Sequence, residues 1–385
     1  MLSDIKDEPE IFKKLAEIYL PEKKPVQNIN INLEKISKIY IIASGSSRNA
    51  GNITRYFIES VAQIPVTVEH ASEFSVRNPV LSSNDLVIFV SQSGETSDVL
   101  AALQVAKTKG AYTFAVTNNE ASTIHTTADS AMFIYAGKET SIPATKSFAS
   151  QLVCLYIIGI YLAEKNNTIS GEQADCEQRL EGGLCPPVMP FMASNQAIES
   201  YKQKIYRMPE KIEKLISNTE EIEKIAQKLH DKKSLIILGR GQNFGLAEEC
   251  ALKIKETCYV NASGYPTGEF LHGHLAMLDE NSPVISIITK YGHDEANYTL
   301  SIGNTMQLIK KRNADVVIVK DRSDTYINSK LSEFSVEYLN ISEFNEEFSP
   351  VYSAVVLHLL TYKMAELLGN DVNNPRSLSK TVSAE

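Results

Sequence analysis

Hydroxyl side chains are concentrated at the end of a short apolar run, in the stretch Val90-Ser91-Gln92-Ser93-Gly94-Glu95-Thr96. Leu86 to Val90 has the composition of a buried strand, and a helical pattern follows as far as Lys109. The first N–H groups of a helix lack intrahelical partners, and the helix dipole stabilises an anion there by about 0.3–1 kcal/mol. Ser91, Ser93 and Thr96 can add hydrogen bonds. The stretch predicts a phosphate-binding loop, and an ordinary N-capped turn is the alternative for this motif alone.

Two further turns have the same hydroxyl-rich character. Ser44-Gly45-Ser46-Ser47 follows the apolar run Ile39 to Ala43, and Ala144-Thr145-Lys146-Ser147 precedes a long apolar helix. In an open α/β sheet, ligands bind outside the carboxyl ends of the strands, so the first two of the three turns are expected to converge on one anion. The turn at Thr145 is expected to close the pocket. Convergence makes the phosphate interpretation more specific than one motif does.

Two carboxylates and an ammonium group share a helical face in the second half of the chain. Glu249, Lys253 and Glu256 are spaced i, i+4 and i+7, whereas Cys250 and Ile254 lie on another face. A carboxylate with an ammonium group one turn away suits a general base that is ionised near neutral pH. The alternative, which the spacing alone favours, is a solvated face with ordinary i, i+4 ion pairs.

Two histidines lie in a glycine-flanked loop, Gly268-Glu269-Phe270-Leu271-His272-Gly273-His274. An imidazole there can shuttle protons, and a pair of ordinary surface histidines is the alternative. Carboxylate or cysteine ligands at a convincing spacing are missing, so the sequence predicts no metal. A dinucleotide fingerprint at Gly239 to Gly245 is also rejected, because Phe244 stands where GxGxxG requires glycine. No cofactor is expected.

The composition limits the partners that the chain can have. Its 385 residues, 43% of them hydrophobic, suffice for two globular domains. A formal charge of −9 without a basic block argues against nucleic acid and anionic membranes. The five cysteines form no CxxC pair, and the N-terminus lacks the basic flank and apolar core of an export signal. The longest apolar run, Leu152 to Ala163, is shorter than the ~20 residues that span a bilayer. We therefore expect a reduced, cytoplasmic protein.

Continuous apolar runs separated by helix-length segments indicate parallel sheets covered by helices. The runs lie at 39–43, 66–68, 86–90, 112–116 and 131–135, and again at 235–238, 258–260, 284–288, 315–319 and 336–339. Helices are expected at 9–20, 196–217, 220–229 and 355–368. The predicted fold class is α/β, with two tandem doubly wound parallel-sheet domains of three αβα layers.

The second half repeats the first at a fixed offset. Lys38 to Gly45 aligns with Ser234 to Gly241, and Glu73-Phe74 aligns with Glu269-Phe270, both at 196 residues (241 − 45 and 269 − 73). The predicted units are residues 1–165, a connecting segment with helices at 166–230, and residues 231–385. The hydroxyl-rich loop has no counterpart in the second copy, where roughly Thr289-Lys290-Tyr291-Gly292 takes its place. The second copy is therefore expected to serve another purpose.

Together these segments resemble the sugar isomerase (SIS) domain family in its tandem form, most closely the isomerase half of glucosamine-6-phosphate synthase. The resemblance covers nearly the whole chain and is carried by residues 1–9, 44–47, 69–74, 91–96, 145–146, 251–256, 268–273 and 375–380. It implies a sugar-phosphate substrate. The implied substrate-binding residues are Ser46, Ser47, Ser91, Gln92, Ser93, Thr96, Thr145 and Glu249.

The resemblance also implies catalytic roles. Glu256 would move a proton between C1 and C2, His272 would assist ring opening, and Lys380 would form an imine with a ketose phosphate, with Lys253 lining the same site. A positioned base contributes about 10²–10⁴ in rate, and a lysine amine supplies an electron sink. In the family the residue matching His272 comes from the neighbouring subunit, which implies a homodimer. From composition alone, the polar tail Asn373 to Lys380 is expected to fray.

Two departures from the family bear on function. The family synthase carries an N-terminal glutaminase, whereas this sequence starts at the isomerase portion, so glutamine-dependent synthesis by this chain alone is not expected and ammonia would come from a separate source. His274 stands where the family usually has proline, and the 166–195 connection is longer than expected; both leave the substrate open. The leading expectation is an isomerase or deaminase acting on glucosamine 6-phosphate and fructose 6-phosphate, either as a stand-alone enzyme or as the isomerase component or partner of a glucosamine-6-phosphate synthase. The alternatives are a sugar-phosphate-binding regulator and a deglycase or isomerase for another phosphorylated sugar adduct.

Overall fold

Two five-stranded parallel sheets form the framework of the chain. The computed structural model describes residues 1–170, 194–279, 282–290, 295–341 and 347–380. The first sheet contains β1 Lys38–Ala43, β2 Val66–His70, β3 Asp85–Ser91, β4 Tyr112–Thr117 and β5 Ser130–Phe133. The second contains β6 Ser234–Gly239, β7 Asn261–Pro266, β8 Pro283–Ile287, β9 Asp315–Asp321 and β10 Glu337–Ile341. The two strand orders, β2-β1-β3-β4-β5 and β7-β6-β8-β9-β10, are the same, which confirms the predicted fold class.

Helices cover both faces of each sheet. In the described ranges they are α1 Leu2–Tyr19, α2 Gly45–Ala62, α3 Ala71–Val76, α4 Ser97–Thr108, α5 Thr123–Thr127, α6 Lys146–Ser170 and α7 Asn195–Tyr206. They continue with α8 Met208–Ser217, α9 Glu220–Leu229, α10 Gln242–Cys258, α11 Thr267–Phe270, α12 Glu295–Arg312, α13 Thr325–Lys330 and α14 Ser349–Leu367.

One apolar core lies between the two sheets and contains residues from both halves of the chain. Phe57 on α2, Tyr156 on α6 and Phe348 before α14 meet there with ring centroids 4.8–5.5 Å apart. Such aromatic contacts stabilise by about 0.5–1.5 kcal/mol each beyond the area that they bury. Two smaller cores fill the outer faces of the first and second sheets. The shared inner core fixes the two halves against each other.

The repeat in the sequence reappears in the positions of the elements. β6 begins 196 residues after β1, and α11 begins 196 residues after α3. In a sheet with this strand order, the topological switch point lies between the first and third strands of the unit. In the first half these are β1 and β3, which pair directly with Ala43 opposite Val90. The turns that follow them therefore leave the sheet side by side.

The strand expected at 258–260 is wrong. Helix α10 extends to Cys258, Tyr259 follows with a left-handed φ of 57°, and β7 begins only at Asn261. The sequence of β7 carries small and polar residues instead of an apolar run because it packs closely against α10. A Cβ on Gly264 would lie 2.7 Å from the backbone of Ala247.

Two of the expected helices have different limits in the structure. Helix α1 begins at Leu2 instead of Pro9, which it accommodates within the helix, and the helix expected at 196–217 is divided at Arg207 into α7 and α8. In the part of the chain that the structure describes, Lys146–Asn166 is long and apolar enough to cross a membrane, yet 89% of its most apolar window is buried inside the protein. This stretch of α6 is a core helix. Residues 171–193 of the expected connection lie outside the described residues, and the limits of the predicted units stay a prediction.

Candidate active site

The loop from Ser91 to Thr96 joins β3 to α4 and is held by its own hydroxyl groups. Ser91 Oγ lies 3.0 Å from Thr96 Oγ1 and accepts the N–H of Gly94 at 3.1 Å, while Ser93 Oγ accepts the N–H of Glu95 at 3.2 Å. Gly94 has φ +71°, and a Cβ there would lie 2.3 Å from the hydroxyl oxygen of Ser122. The loop thus requires glycine at its tightest point. Thr96 makes no side-chain cap bond, so it leaves the first N–H groups of α4 without that partner.

The turn after β1 has a matching form. Ser44 is an extended N-cap without a side-chain cap bond, Gly45 has φ +55°, and Ser46 and Ser47 lie half-buried in the first turn of α2. Because β1 and β3 are neighbours, the N-termini of α2 and α4 open at the same edge of the sheet. Two adjacent helix N-termini with hydroxyl side chains form a favourable environment for an anion. Binding of substrate by these residues stays a prediction.

The three charged residues predicted on α10 form a buried ion cluster. The Lys253 side chain is 1% exposed, and its Nζ lies 3.6 Å from Glu249 Oε1, whose side chain is 2% exposed. Lys253 Nζ also donates a short hydrogen bond to Glu256 Oε2. The side chain of Glu256 is 20% exposed, so this carboxylate is the member that solvent reaches. The solvated face that the spacing alone favours is therefore wrong.

The surroundings keep the buried groups of this cluster charged. Burial raises the pKa of Glu249, but the Lys253 ammonium, followed by His358 and the Asn49 amide, outweighs burial and holds the pKa below its usual value. Burial lowers the pKa of Lys253, but Glu256, Glu249 and Glu139 outweigh burial and raise it. Two buried groups of opposite charge thus lie beside the solvent-accessible carboxylate of Glu256.

Helices α2 and α10 bring the two halves of the site together. Asn49 Nδ2 donates to Glu249 Oε2 at 2.9 Å, and a Cβ on Gly245 would lie 2.7 Å from Ile53. Along α2, Asn49 precedes Ile53, whereas along α10 their partners come in the opposite order, Glu249 after Gly245. The two helices therefore run antiparallel. Lys253, one turn beyond Glu249, therefore lies toward the first turn of α2, which holds Ser46 and Ser47.

The C-terminal tail is docked as far as Lys380, so the expectation that it frays is wrong for the described residues. Asn370 Nδ2 donates to the carbonyl of Thr257 at 2.8 Å, and the Arg376 guanidinium lies 4.1 Å from the ring centroid of Tyr259. Lys380 Nζ donates to Glu139 Oε2 at 2.8 Å. After α14, the tail thus packs first against the C-terminal end of α10 and then against the loop between β5 and α6.

Two predicted site residues, Thr145 and His272, lie outside the α10 ion cluster. Thr145 is fully buried, and its N–H donates to Glu139 Oε1 at 2.7 Å, so it lies behind the tail lysine. His272 is exposed after α11, and its backbone N–H donates to the carbonyl of Glu269 at 2.9 Å. Within the described parts of the chain, His272 shares no hydrogen bond or ion pair with Lys253, Glu256 or Lys380.

Three residues in this region were not predicted: Asn49, Glu139 and His358. His358 Nε2 lies 3.8 Å from Glu249 Oε1, and the ring is buried. It had a detectable signal in the sequence, because it interrupts the otherwise apolar stretch Ala354 to Leu360 of α14. Asn49 and Glu139 act through contacts between distant segments, which spacing along the chain does not reveal.

Comparison with known proteins identifies relatives along the whole chain. A family model described as the SIS domain matches residues 32–160 and 228–366. A glutamine–fructose-6-phosphate aminotransferase (isomerizing) from Clostridium tetani is 33% identical over 390 residues, which cover 100% of this chain and 59% of the relative. Its counterpart from Caldanaerobacter subterraneus is 34% identical with the same coverage. The chain thus spans 59% of the length of these relatives.

Solved structures share the complete fold. The C-terminal domain of a glucosamine-fructose-6-phosphate aminotransferase from Francisella tularensis superposes with a TM-score of 0.83 at 28% identity, covering 97% of this chain and 98% of the other. A glucosamine-6-phosphate deaminase from Thermotoga maritima gives a TM-score of 0.69 at 24% identity, covering 100% and 99%. The second similarity supports the fold alone.

Proposed function

The chain belongs to the SIS domain family, and from that premise we propose that it is an amino-sugar phosphate isomerase that interconverts fructose 6-phosphate plus ammonia with glucosamine 6-phosphate. The turns at Ser46–Ser47 and Ser91–Thr96 would hold the phosphate, with Gln92 and Ser93 at the opening between them. The observation that carries the proposal is the buried Glu249–Lys253 pair next to the accessible Glu256, beside the N-terminus of α2.

The proposed chemistry uses one amine and one base. The Lys380 ammonium, whose side chain is 32% exposed, first releases a proton to solvent. The neutral amine then adds to C2 of the ketose and expels water, giving an imine, and ammonia displaces the lysine. Glu256 removes a proton from C1 and delivers it to C2, which leaves an aldehyde at C1 and an amine on C2. In the opposite direction the same steps release ammonia.

We further propose that the enzyme works as a homodimer. The exposed position of His272 suits a residue that completes the site of a second copy, where its imidazole would assist opening of the sugar ring. Glu249 and Lys253 would line the site without reacting.

The direct test is turnover in both directions. Purified protein is incubated with glucosamine 6-phosphate while ammonia and fructose 6-phosphate are measured, and then with fructose 6-phosphate and ammonium. Glu256→Gln is expected to lower kcat by about 10²–10⁴. The matched control is Glu248→Gln on the same helix, because Glu248 bonds Arg48 and Asn52 and not Lys253; it is expected to keep activity. Wild-type protein without turnover in either direction, or full turnover by Glu256→Gln, would exclude the proposal. Binding of fructose 6-phosphate without turnover would identify a regulator instead.

A further inference from the structure

A buried carboxylate, Glu139, contacts the tail lysine. Glu139 belongs to the loop between β5 and α6, and its side chain is 1% exposed. Its Oε1 accepts the N–H of Thr145 at 2.7 Å, and its Oε2 accepts the hydroxyl of Ser147 at 2.6 Å. Lys380 Nζ completes the coordination of Oε2 at 2.8 Å. The loop thus holds the carboxylate through contacts of its own that do not involve the tail.

Lys380 has few other means of holding its amine in place. In the described part of the chain, the other hydrogen bonds of its Nζ go to the backbone carbonyls of Ser141 and Ile142, which carry no charge. Among the residues that the structure describes, Glu139 is the ionisable group in contact with Nζ. The lysine side chain is 32% exposed and has a long flexible stem, so without a charged partner it would sample many rotamers.

Glu139 is also electrostatically connected to the α10 cluster. It is one of the three carboxylates that raise the pKa of Lys253 against the effect of burial. Glu139 therefore bonds the tail lysine directly and also lies within electrostatic range of Lys253.

We propose that Glu139 is a positioning residue that docks the Lys380 amine beside the catalytic helix before substrate binds. The docking stands on the contacts alone, whereas its catalytic consequence rests on the proposed function, in which Lys380 forms the imine. A fixed amine needs less rearrangement to reach a bound carbonyl, and misplacement by about 1 Å costs on the order of 10² in rate.

Glu139→Gln isolates this contact. The glutamine oxygen can still accept the N–H of Thr145, and its NH₂ group can donate to the hydroxyl of Ser147. Both contacts of residue 139 with the first residues of α6 are therefore kept. The same NH₂ group would face the Lys380 ammonium. Both groups are hydrogen-bond donors, so the contact between them would be lost. Ser147→Ala is the matched control, because it removes a different partner of the same oxygen and keeps the charge.

The first measurement is hydrogen–deuterium exchange without substrate, and it does not depend on activity. In Glu139→Gln, peptides covering 376–380 are expected to exchange about two- to fivefold faster, the range for an ion pair partly open to solvent. Ser147→Ala is expected to match the wild type. Equal exchange in Glu139→Gln and wild type would overturn the docking, and so would equal acceleration in the Ser147→Ala control.

The second measurement is borohydride trapping of fructose 6-phosphate on Lys380. Glu139→Gln is expected to lower the trapped yield and kcat about tenfold while KM is unchanged, and Glu139→Asp, which keeps the charge, is expected to recover part of the loss. Wild-type yield from Glu139→Gln would overturn the positioning role. If wild-type protein traps no adduct, the proposed function fails, and the exchange experiment still decides whether Glu139 docks the tail.

Discussion

Replacing Lys253 by methionine tests whether the α10 ion cluster is as buried as the structure places it. Methionine fills most of the lysine volume but leaves Glu249, 2% exposed, without its closest cation. Removing one partner of a buried ion pair costs about 3–5 kcal/mol. We expect about 3 kcal/mol, the lower end, because Asn49 still donates to Glu249 at 2.9 Å and His358 stays beside it. Glu256 adds little, since its side chain is 20% exposed and can be hydrated.

The loss should depend on pH with a definite sign. In the wild type the net effect of Lys253 holds the pKa of Glu249 below its usual value despite burial, so this carboxylate contributes stability that is lost as pH falls. In Lys253→Met burial prevails, the pKa of Glu249 rises, and stability is lost as pH rises. The difference between the two proteins is therefore expected to be larger at pH 8 than at pH 5.

The assay is urea unfolding followed by circular dichroism, because the chain contains no tryptophan. The double variant Lys253→Met with Glu249→Gln removes the unpaired charge and keeps an acceptor for Asn49. It should recover at least about 2 kcal/mol of the loss. A single variant within about 1 kcal/mol of the wild type at pH 8, or a double variant without recovery, would mean that water reaches Lys253 and that the buried cluster is not a source of fixed charge.

Three further predictions follow from single contacts. Gly94→Ala is expected to lower the free energy of unfolding by about 1–3 kcal/mol and to weaken phosphate binding, because its Cβ would meet Ser122. Gly45→Ala, with open space around its Cβ, should cost less; calorimetry of unfolding and of phosphate binding compares the two variants. Burial, followed by the neighbouring carboxylates, raises the pKa of Glu8, so ionisation of this group destabilises the folded protein as pH rises. Glu8→Gln should therefore be more stable than the wild type at pH 8, with a smaller gain at pH 5. An equal gain at both pH values would contradict this. If His272 serves a second subunit, mixing inactive His272→Ala and Glu256→Gln proteins should restore about a quarter of wild-type activity, and no recovery after subunit exchange would count against the shared site.

The fold could be predicted from the sequence because buried parallel strands leave a direct signature. Runs such as Leu86–Val90 are apolar without alternation, and the repeat at 196 residues doubled the evidence for each element. The strand that failed, β7, is the one whose packing demands small residues. Gly264 lies against the backbone of Ala247, and a sequence selected for close approach loses the apolar pattern.

The candidate site was less accessible to sequence analysis because its environment depends on contacts between distant segments. The spacing of Glu249 and Lys253 is the same on a solvated helix face and on a buried one. Only the packing of α2 against α10 decides between them, and it is the Asn49 contact, 200 residues away, that reveals burial. The Glu139–Lys380 contact spans 241 residues and likewise has no local pattern.

The packing at the second switch point explains why the two copies are not interchangeable. In the first half, Ser46, Ser47 and Ser93 remain half-buried at the opening. In the second half, Asn243 occupies the position equivalent to Ser47, and Thr289 follows β8. Thr289 Oγ1 donates to Asn243 Oδ1 at 3.0 Å and accepts from the Ser349 hydroxyl at 3.1 Å, and all three residues are buried. These polar groups satisfy one another, so an anion entering there would have to replace hydrogen bonds among three buried side chains. What the second copy contributes instead is the ion cluster of α10, which lies beside the first turns of α2.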